Sequence, residues 1–272
     1  AYTIWNLLSY GLFYGIMLAM IFYNLFLAYS LDNKTYFFYV LTIVFALFYQ
    51  IFLSGAHLFF EQFGDFNSRR LQYFFLGGYI AAASQFVRFF LGTQEHTPLL
   101  DKLIFAMRYL GYAVAVVGVL AVTTAASFGA HGVAFVAPLL VLITGFKRLA
   151  QGYRPARYFL IAWVAFLTSL VAMALDDLMP SFQPPLPSPF LLAIGTSLEA
   201  LFLSFALADS IKQLRKEKES LVESKNDFEK KSISDSLTGL YNSGYYRPIR
   251  TPFGRQSPYP IRPHHEQCHT PK

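Results

Sequence analysis

The side chains with chemical potential in this 272-residue sequence are few and scattered. Glu199 lies within the apolar run 190–209, about ten residues from either end. A carboxylate at that depth in a membrane is costly, and it usually faces a bundle interior or water, paired or protonated. It reads as a buried structural or signal-coupling residue in preference to a ligand contact. Asp176 and Asp177 are adjacent, so on a helix they point roughly 100° apart and form no acid–base pair. They read as a solvated helix end. His57 and His131 are each isolated and read as interface histidines, His131 in a loop.

The tail string His264-His265-x-x-Cys268-His269 contains zinc-type ligands. A structural zinc site needs four ligands held by a fold, and only one thiol is available, so no metal site is assigned. Cys268 is the single cysteine, which excludes a disulfide framework. The run 190–209 has no lysine for a retinal Schiff base, and no Ser/His or His/Glu grouping has a spacing useful to a hydrolase. No catalytic, cofactor-binding or metal-ligating residue is assigned.

The composition explains this poverty. Hydrophobic residues make up 55% of the chain and charged residues 14%, against about 25% charged in an ordinary soluble domain. The net charge of +6 does not mark a nucleic-acid surface. Residues 1–209 and 210–242 each carry a net +1, and the last thirty carry +4. The apolar residues fall in seven long runs, near 8–30, 36–60, 71–92, 103–126, 132–148, 157–179 and 190–209. Each is long enough, or nearly so, to cross a hydrocarbon core about 30 Å thick. Short polar separators divide them, including Ser127–His131 and Leu149–Ala156. The expected fold is therefore all-α: a seven-transmembrane helical bundle occupying residues 1–209.

Orientation follows from the distribution of Lys and Arg at the span ends. One side collects Lys34, Lys102, Lys147, Arg148, Arg154 and Arg157, then Lys212, Arg215, Lys216 and Lys218. The other has only Arg69 and Arg70. The expected topology has the N-terminus outside and the C-terminus in the cytoplasm. Arg88 and Arg108 lie near the basic face; they are the cations closest in depth to Glu199, and both are long enough to snorkel to the interface. Asn24 in the first span and Gln50 in the second are expected to make interhelical hydrogen bonds. Gly11-x-x-x-Gly15 is expected to pack a helix closely. Glu199, Arg108, Arg88 and Asn24 are the signal-coupling candidates.

After the seventh span the composition flips to ADSIKQLRKEKESLVESKNDFEKKSIS, charged throughout and free of Pro and Gly. Residues 210–234 are expected to form a cytoplasmic signalling helix. Ile211, Leu214, Lys218, Leu221, Lys225 and Phe228 follow steps of three and four, the spacing of a coiled-coil seam. Two lysines in the seam favour a marginal, switchable homodimer.

The string after this helix is Asp235-Ser236-Leu237-Thr238-Gly239-Leu240-Tyr241-Asn242. It resembles the D-x-L-T-G-L-x-N opening of GGDEF domains, the diguanylate cyclases that make cyclic di-GMP from two GTP. The matching positions are Asp235, Leu237, Thr238, Gly239, Leu240 and Asn242. The resemblance implies Mg and GTP for an intact domain, but it stops at Asn242. The later Asp-rich strand and Gly-Gly-Asp/Glu-Glu-Phe hairpin of those cyclases are missing, so this chain is expected to be inactive. Residues 243–272 contain six of the fourteen prolines and no apolar period, which reads as a disordered or frame-shifted tail.

Residues 8–215 resemble the seven-helix module of 7TMR-DISM receptors. The resemblance rests on three stretches: Tyr14-Gly15 through Tyr23-Asn24-Leu25-Phe26-Leu27, Tyr153-Arg154-Pro155-Ala156-Arg157-Tyr158-Phe159, and Gly195-Thr196-Ser197-Leu198-Glu199-Ala200 through Leu207-Ala208-Asp209. It implies a bacterial receptor set between an outer sensory domain and a cytoplasmic GGDEF or kinase output. The start at Ala1 fits a natural sequence that begins earlier. The expected partners are the lipid bilayer, a second copy and an unknown extracytoplasmic ligand, with no nucleic acid and no cofactor in this chain. The alternative reading is a transporter or channel with a cytoplasmic oligomerisation helix; that would want charged residues along a path and two matching halves.

Overall fold

Of the seven membrane-spanning segments, the one with the lowest hydropathy is the most deeply buried. It lies among eight helices in a computed structural model that describes residues 4–31, 33–56, 68–121, 123–179 and 188–233. They are α1 (Ile4–Leu31), α2 (Lys34–Leu53), α3 (Ser68–Leu91), α4 (Thr93–His96), α5 (Pro98–Leu120), α6 (Thr124–Ala150), α7 (Ala156–Leu178) and α8 (Ser188–Ile233). All but α4 are long and apolar enough to cross a membrane. The described part is an all-helical seven-transmembrane bundle, as the apolar runs require. The chain divides into two compact units, Ala1–Lys212 and Gln213–Lys272.

The central helix is α3. Its middle, Leu76-Gly77 and Tyr79-Ile80-Ala81-Ala82-Ala83-Ser84, is buried on all sides. Lipid tails are as apolar as leucine, so helices in a bilayer do not associate through hydrophobicity; small residues let backbones approach. That is why the small-residue helix takes the centre. A Cβ on Gly111 of α5 would lie 2.8 Å from the Ala81 nitrogen and 2.8 Å from the Gly77 oxygen of α3. Large side chains such as Leu12, Phe22, Phe26, Val116, Ile143 and Phe205 are exposed on the outside of the bundle, the side that meets lipid.

Local signals set the helix ends. Asn33 caps α2, its Oδ1 accepting from Thr35 N at 2.8 Å. Pro98 opens α5, where a missing N–H costs nothing. Gly152, at φ +90°, closes α6. There the Gly152 N–H donates to Leu149 O and the Tyr153 N–H to Arg148 O, the paired bonds of a Schellman turn.

Several expected boundaries move. The fourth span was expected to run to 126, with a separator at 127–131. Instead α5 ends at Leu120 and α6 begins at Thr124, so Ser127–His131 belong to a helix. The reason is a cap: the Thr123 hydroxyl accepts from Ala126 N at 3.2 Å, and the small residues that follow contain no proline. His131 is therefore helical, not in a loop. α2 stops at Leu53, short of the expected 60. Gly11 and Gly15 pack closely against nothing among the described residues, since a Cβ on either meets no such atom within 4 Å.

The helical reading of 210–234 holds through Ile233, because α8 is one helix of 46 residues. Leu214, Leu221 and Phe228 are exposed on it. The Asp235–Asn242 string, the tail with His264, His265, Cys268 and His269, and His57 all lie outside the described residues.

The α3–α5 contact makes a direct prediction. Gly111→Val should lower the thermal unfolding temperature of the detergent-solubilised protein, with an overpacking cost of about 1–3 kcal/mol. Gly129→Ala, with open space around the new Cβ, should leave it unchanged or raise it.

Candidate functional site: the attachments of α8

Glu199 is 3% exposed. The Tyr79 hydroxyl of α3 lies 3.1 Å from both carboxylate oxygens and donates to them. Tyr79 sits midway along α3, at the depth where a midplane acid needs a donor. The two arginines expected nearest to Glu199 bond elsewhere. Arg88 donates to Asp101 of α5, Nε to Oδ1 at 2.8 Å and Nη2 to Oδ2 at 3.0 Å. Arg108 donates to Gln85 Oε1 at 3.0 Å. Both guanidinium groups lie over the Phe105 ring, at 4.6 and 4.5 Å. Thr93 completes this cluster with a 2.5 Å bond to Asp101 Oδ1. The Arg88–Asp101 pair thus ties α3 to α5 beside the α4 turn; it does not touch α8.

Three more contacts grip α8 between 189 and 210. Asn24 Nδ2 donates to Ser204 Oγ at 3.1 Å and to Met20 O in its own helix. The Tyr39 hydroxyl donates to Ala200 O and lies 3.2 Å from Ser204 Oγ. Gln50 Nε2 donates to Pro189 O at 2.6 Å. Asn24 and Gln50 are thus the interhelical bonds their positions predict.

At the far end of this stretch, the turn before α7 and the first turn of α7 each meet α8 once. The Tyr153 hydroxyl lies 2.9 Å from Ser210 Oγ, and Arg157 Nη2 lies 3.3 Å from Asp209 Oδ2. Asn24 from the stretch 14–27, and Tyr153 and Arg157 from 153–159, therefore meet one helix, α8, between Ser204 and Ser210.

Aromatic rings join these attachments. Tyr79 packs on Phe166, Phe166 on Trp163, Trp163 on Phe159, Phe159 on Phe90 and Phe90 on Tyr153, with centroids 5.3–6.0 Å apart. Such offset and edge contacts are favourable geometry for rings. The seam runs from the partner of Glu199 to the partner of Ser210. Spacing arguments missed Tyr39, Tyr79 and Ser204. The available signal was depth: a lone buried acid and a tyrosine both lie near the middle of their spans.

Beside this seam lies a cavity of about 420 Å³, lined by residues of α2, α3, α6, α7 and α8. Its walls include Leu76, Tyr79, Ile80, Val141, Trp163 and Met173; Phe128, His131 and Leu178 stand at its rim. Among the described residues no group of three His, Cys, Asp or Glu side chains is placed to hold a metal.

The described residues thus form a seven-helix, multi-pass membrane bundle whose last helix is held by side-chain bonds from several others. The chain belongs to the 7TM diverse intracellular signalling family, whose pattern matches residues 6–210. It is a membrane receptor or sensor module of signalling proteins. Neither the curated proteins nor the solved structures provide a match.

Removing the Tyr79 hydroxyl strips Glu199 of its donor. Tyr79→Phe should destabilise the bundle by about 1–3 kcal/mol in reversible denaturation from mixed micelles. Arg157→Ala, at a half-exposed pair, should cost less than about 1 kcal/mol.

Proposed function

We propose that this chain is the transducing part of a bacterial inner-membrane receptor, which carries an extracytoplasmic signal through α8 to a cytoplasmic output. The observation that carries this reading is that side chains of α1, α2, α3 and the entry to α7 all bond α8 between Glu199 and Ser210. A helix held by side-chain bonds at defined heights has a defined rotation and register. A shift of α3 or α7 is then felt as a shift of α8. The same helix runs to Ile233, so a rotation or axial displacement has a continuous rod to travel along.

The finer parts of the proposal rest on the sequence. The basic residues at one end support an outside N-terminus and a cytoplasmic C-terminus. The exposed Leu214, Leu221 and Phe228 support a homodimer along the 210–234 helix. The Asp235–Asn242 string supports a diguanylate cyclase output, whose intact domain would take Mg and GTP.

Two experiments test this. Residues 1–242 are fused to an intact diguanylate cyclase domain, and one to four residues are inserted after Leu221. Cyclic di-GMP output should vary with helical periodicity; a flat response overturns transmission through α8. In a Cys268→Ser background, cysteines placed at Lys34 and Arg154 should react with membrane-impermeant maleimide only after the cytoplasmic side is opened. Labelling from outside overturns the orientation.

A further inference from the structure

The α8 attachments leave the cavity among α3, α6 and α7 unused. Most of its wall is aliphatic or aromatic, and its volume of about 420 Å³ falls within the range of about 300–1,000 Å³ found for small-molecule sites. The few polar groups deep in it are committed. Tyr79 donates to Glu199, and Ser84 and Thr196 donate to carbonyls of their own helices, at 2.7 and 2.6 Å. A sugar or amino acid would find little there to replace its hydration shell.

The rim is different. His131 is exposed and lines the cavity. Its Nδ1 lies 2.6 Å from the Ser127 carbonyl oxygen. A carbonyl only accepts, so Nδ1 carries the proton. The edge of Tyr73 packs at 90° to the imidazole, 6.3 Å between centroids. The ring is thus held with Nε2 as its remaining nitrogen, and Nε2 has no partner among the described residues. A neutral ring accepts there from an O–H; a charged ring donates there to a carboxylate. An apolar cavity of this volume with one oriented imidazole nitrogen among its exposed lining residues is complementary to an alkyl chain ending in a carboxyl group.

We propose that this cavity binds a single-chain carboxylic amphiphile of the fatty-acid class, with the chain among α3, α6 and α7 and the carboxyl group on His131 Nε2. Its significance for signalling rests on the receptor reading. Tyr79 lines the cavity and holds Glu199, so a chain packed against Tyr79 bears on α8. Binding itself can be measured without any output domain.

The test uses the full chain in phospholipid nanodiscs free of fatty acid. Trp5→Phe leaves Trp163, a wall residue, as the sole tryptophan. Titration with cis-parinaric acid should give saturable energy transfer from Trp163, reversed by lauric acid. Ala134→Phe and Ala137→Phe fill the cavity from α6 and should each weaken binding about tenfold or more. His131→Ala should erase the preference for the free acid over its methyl ester, itself about tenfold or more. That comparison is a ratio within one variant, so it stands even where a filling variant fails to fold.

Transfer that grows with the acid-to-lipid ratio without saturating overturns the proposal, as does binding unaltered in filling variants of unchanged unfolding temperature. Equal transfer from a parinaroyl phosphatidylcholine also overturns it, since bilayer chains would then be the occupant. If the fused cyclase ignores helix phase while parinaric acid still binds saturably, the transmission reading fails and the site remains.

Discussion

A buried carboxylate with a tyrosine hydroxyl as its partner is the constraint around which the bundle is arranged. Glu199 is almost fully enclosed, and an acid so placed needs a donor at its own height in a neighbouring helix. Tyr79 meets that need from the middle of α3. A bond between the middles of two helices leaves each little freedom to rotate or slide against the other. α3 is itself the most buried helix, so α8 is referenced to the centre of the bundle and not to its lipid-facing edge.

The other attachments follow from that placement. With Glu199 turned toward α3, Ala200 and Ser204 face Tyr39 and Asn24, and Asp209 and Ser210 reach the start of α7. The aromatic seam from Tyr79 to Tyr153 fills the space between two of these grips with rings in direct contact. Contiguity of packing offers a physical route for coupling, though coupling is an energy and not a path. The Arg88–Asp101–Thr93 cluster serves a separate purpose, holding α3 to α5 at the α4 turn.

The cavity and the attachments share one residue, Tyr79. The rim of the cavity lies where α6 begins and α7 ends. Near the other end of the same two helices, Gly145 is pressed close to Phe159 and Leu160, which a Cβ would meet at 3.2 and 2.9 Å. α6 and α7 are thus in tight contact at one end, and the cavity lies between them at the other. A receptor module whose interior is packed at one end and roomy at the other has a natural place for the two arrangements that signalling requires.

Much of this was legible in the chain alone. Runs of about twenty apolar residues dictate membrane-spanning helices because unsatisfied backbone groups are intolerable in hydrocarbon. The Pro- and Gly-free stretch after Asp209 dictates continued helix, and the positions of Asn24 and Gln50 announce bonds between helices. Partner identity was not legible. Depth alone made Arg88 and Arg108 the cations nearest Glu199 and left them free to snorkel, whereas they bond Asp101 and Gln85 once α5 has packed on α3. Gly11 and Gly15 matched a packing motif yet pack closely against nothing among the described residues, whereas Gly77 and Gly111, far apart in sequence, meet. Hydropathy counts transfer into lipid, one helix at a time. Which helix becomes the centre, which tyrosine meets the acid and where space remains depend on steric fit among all seven, and steric fit exists only once they are assembled.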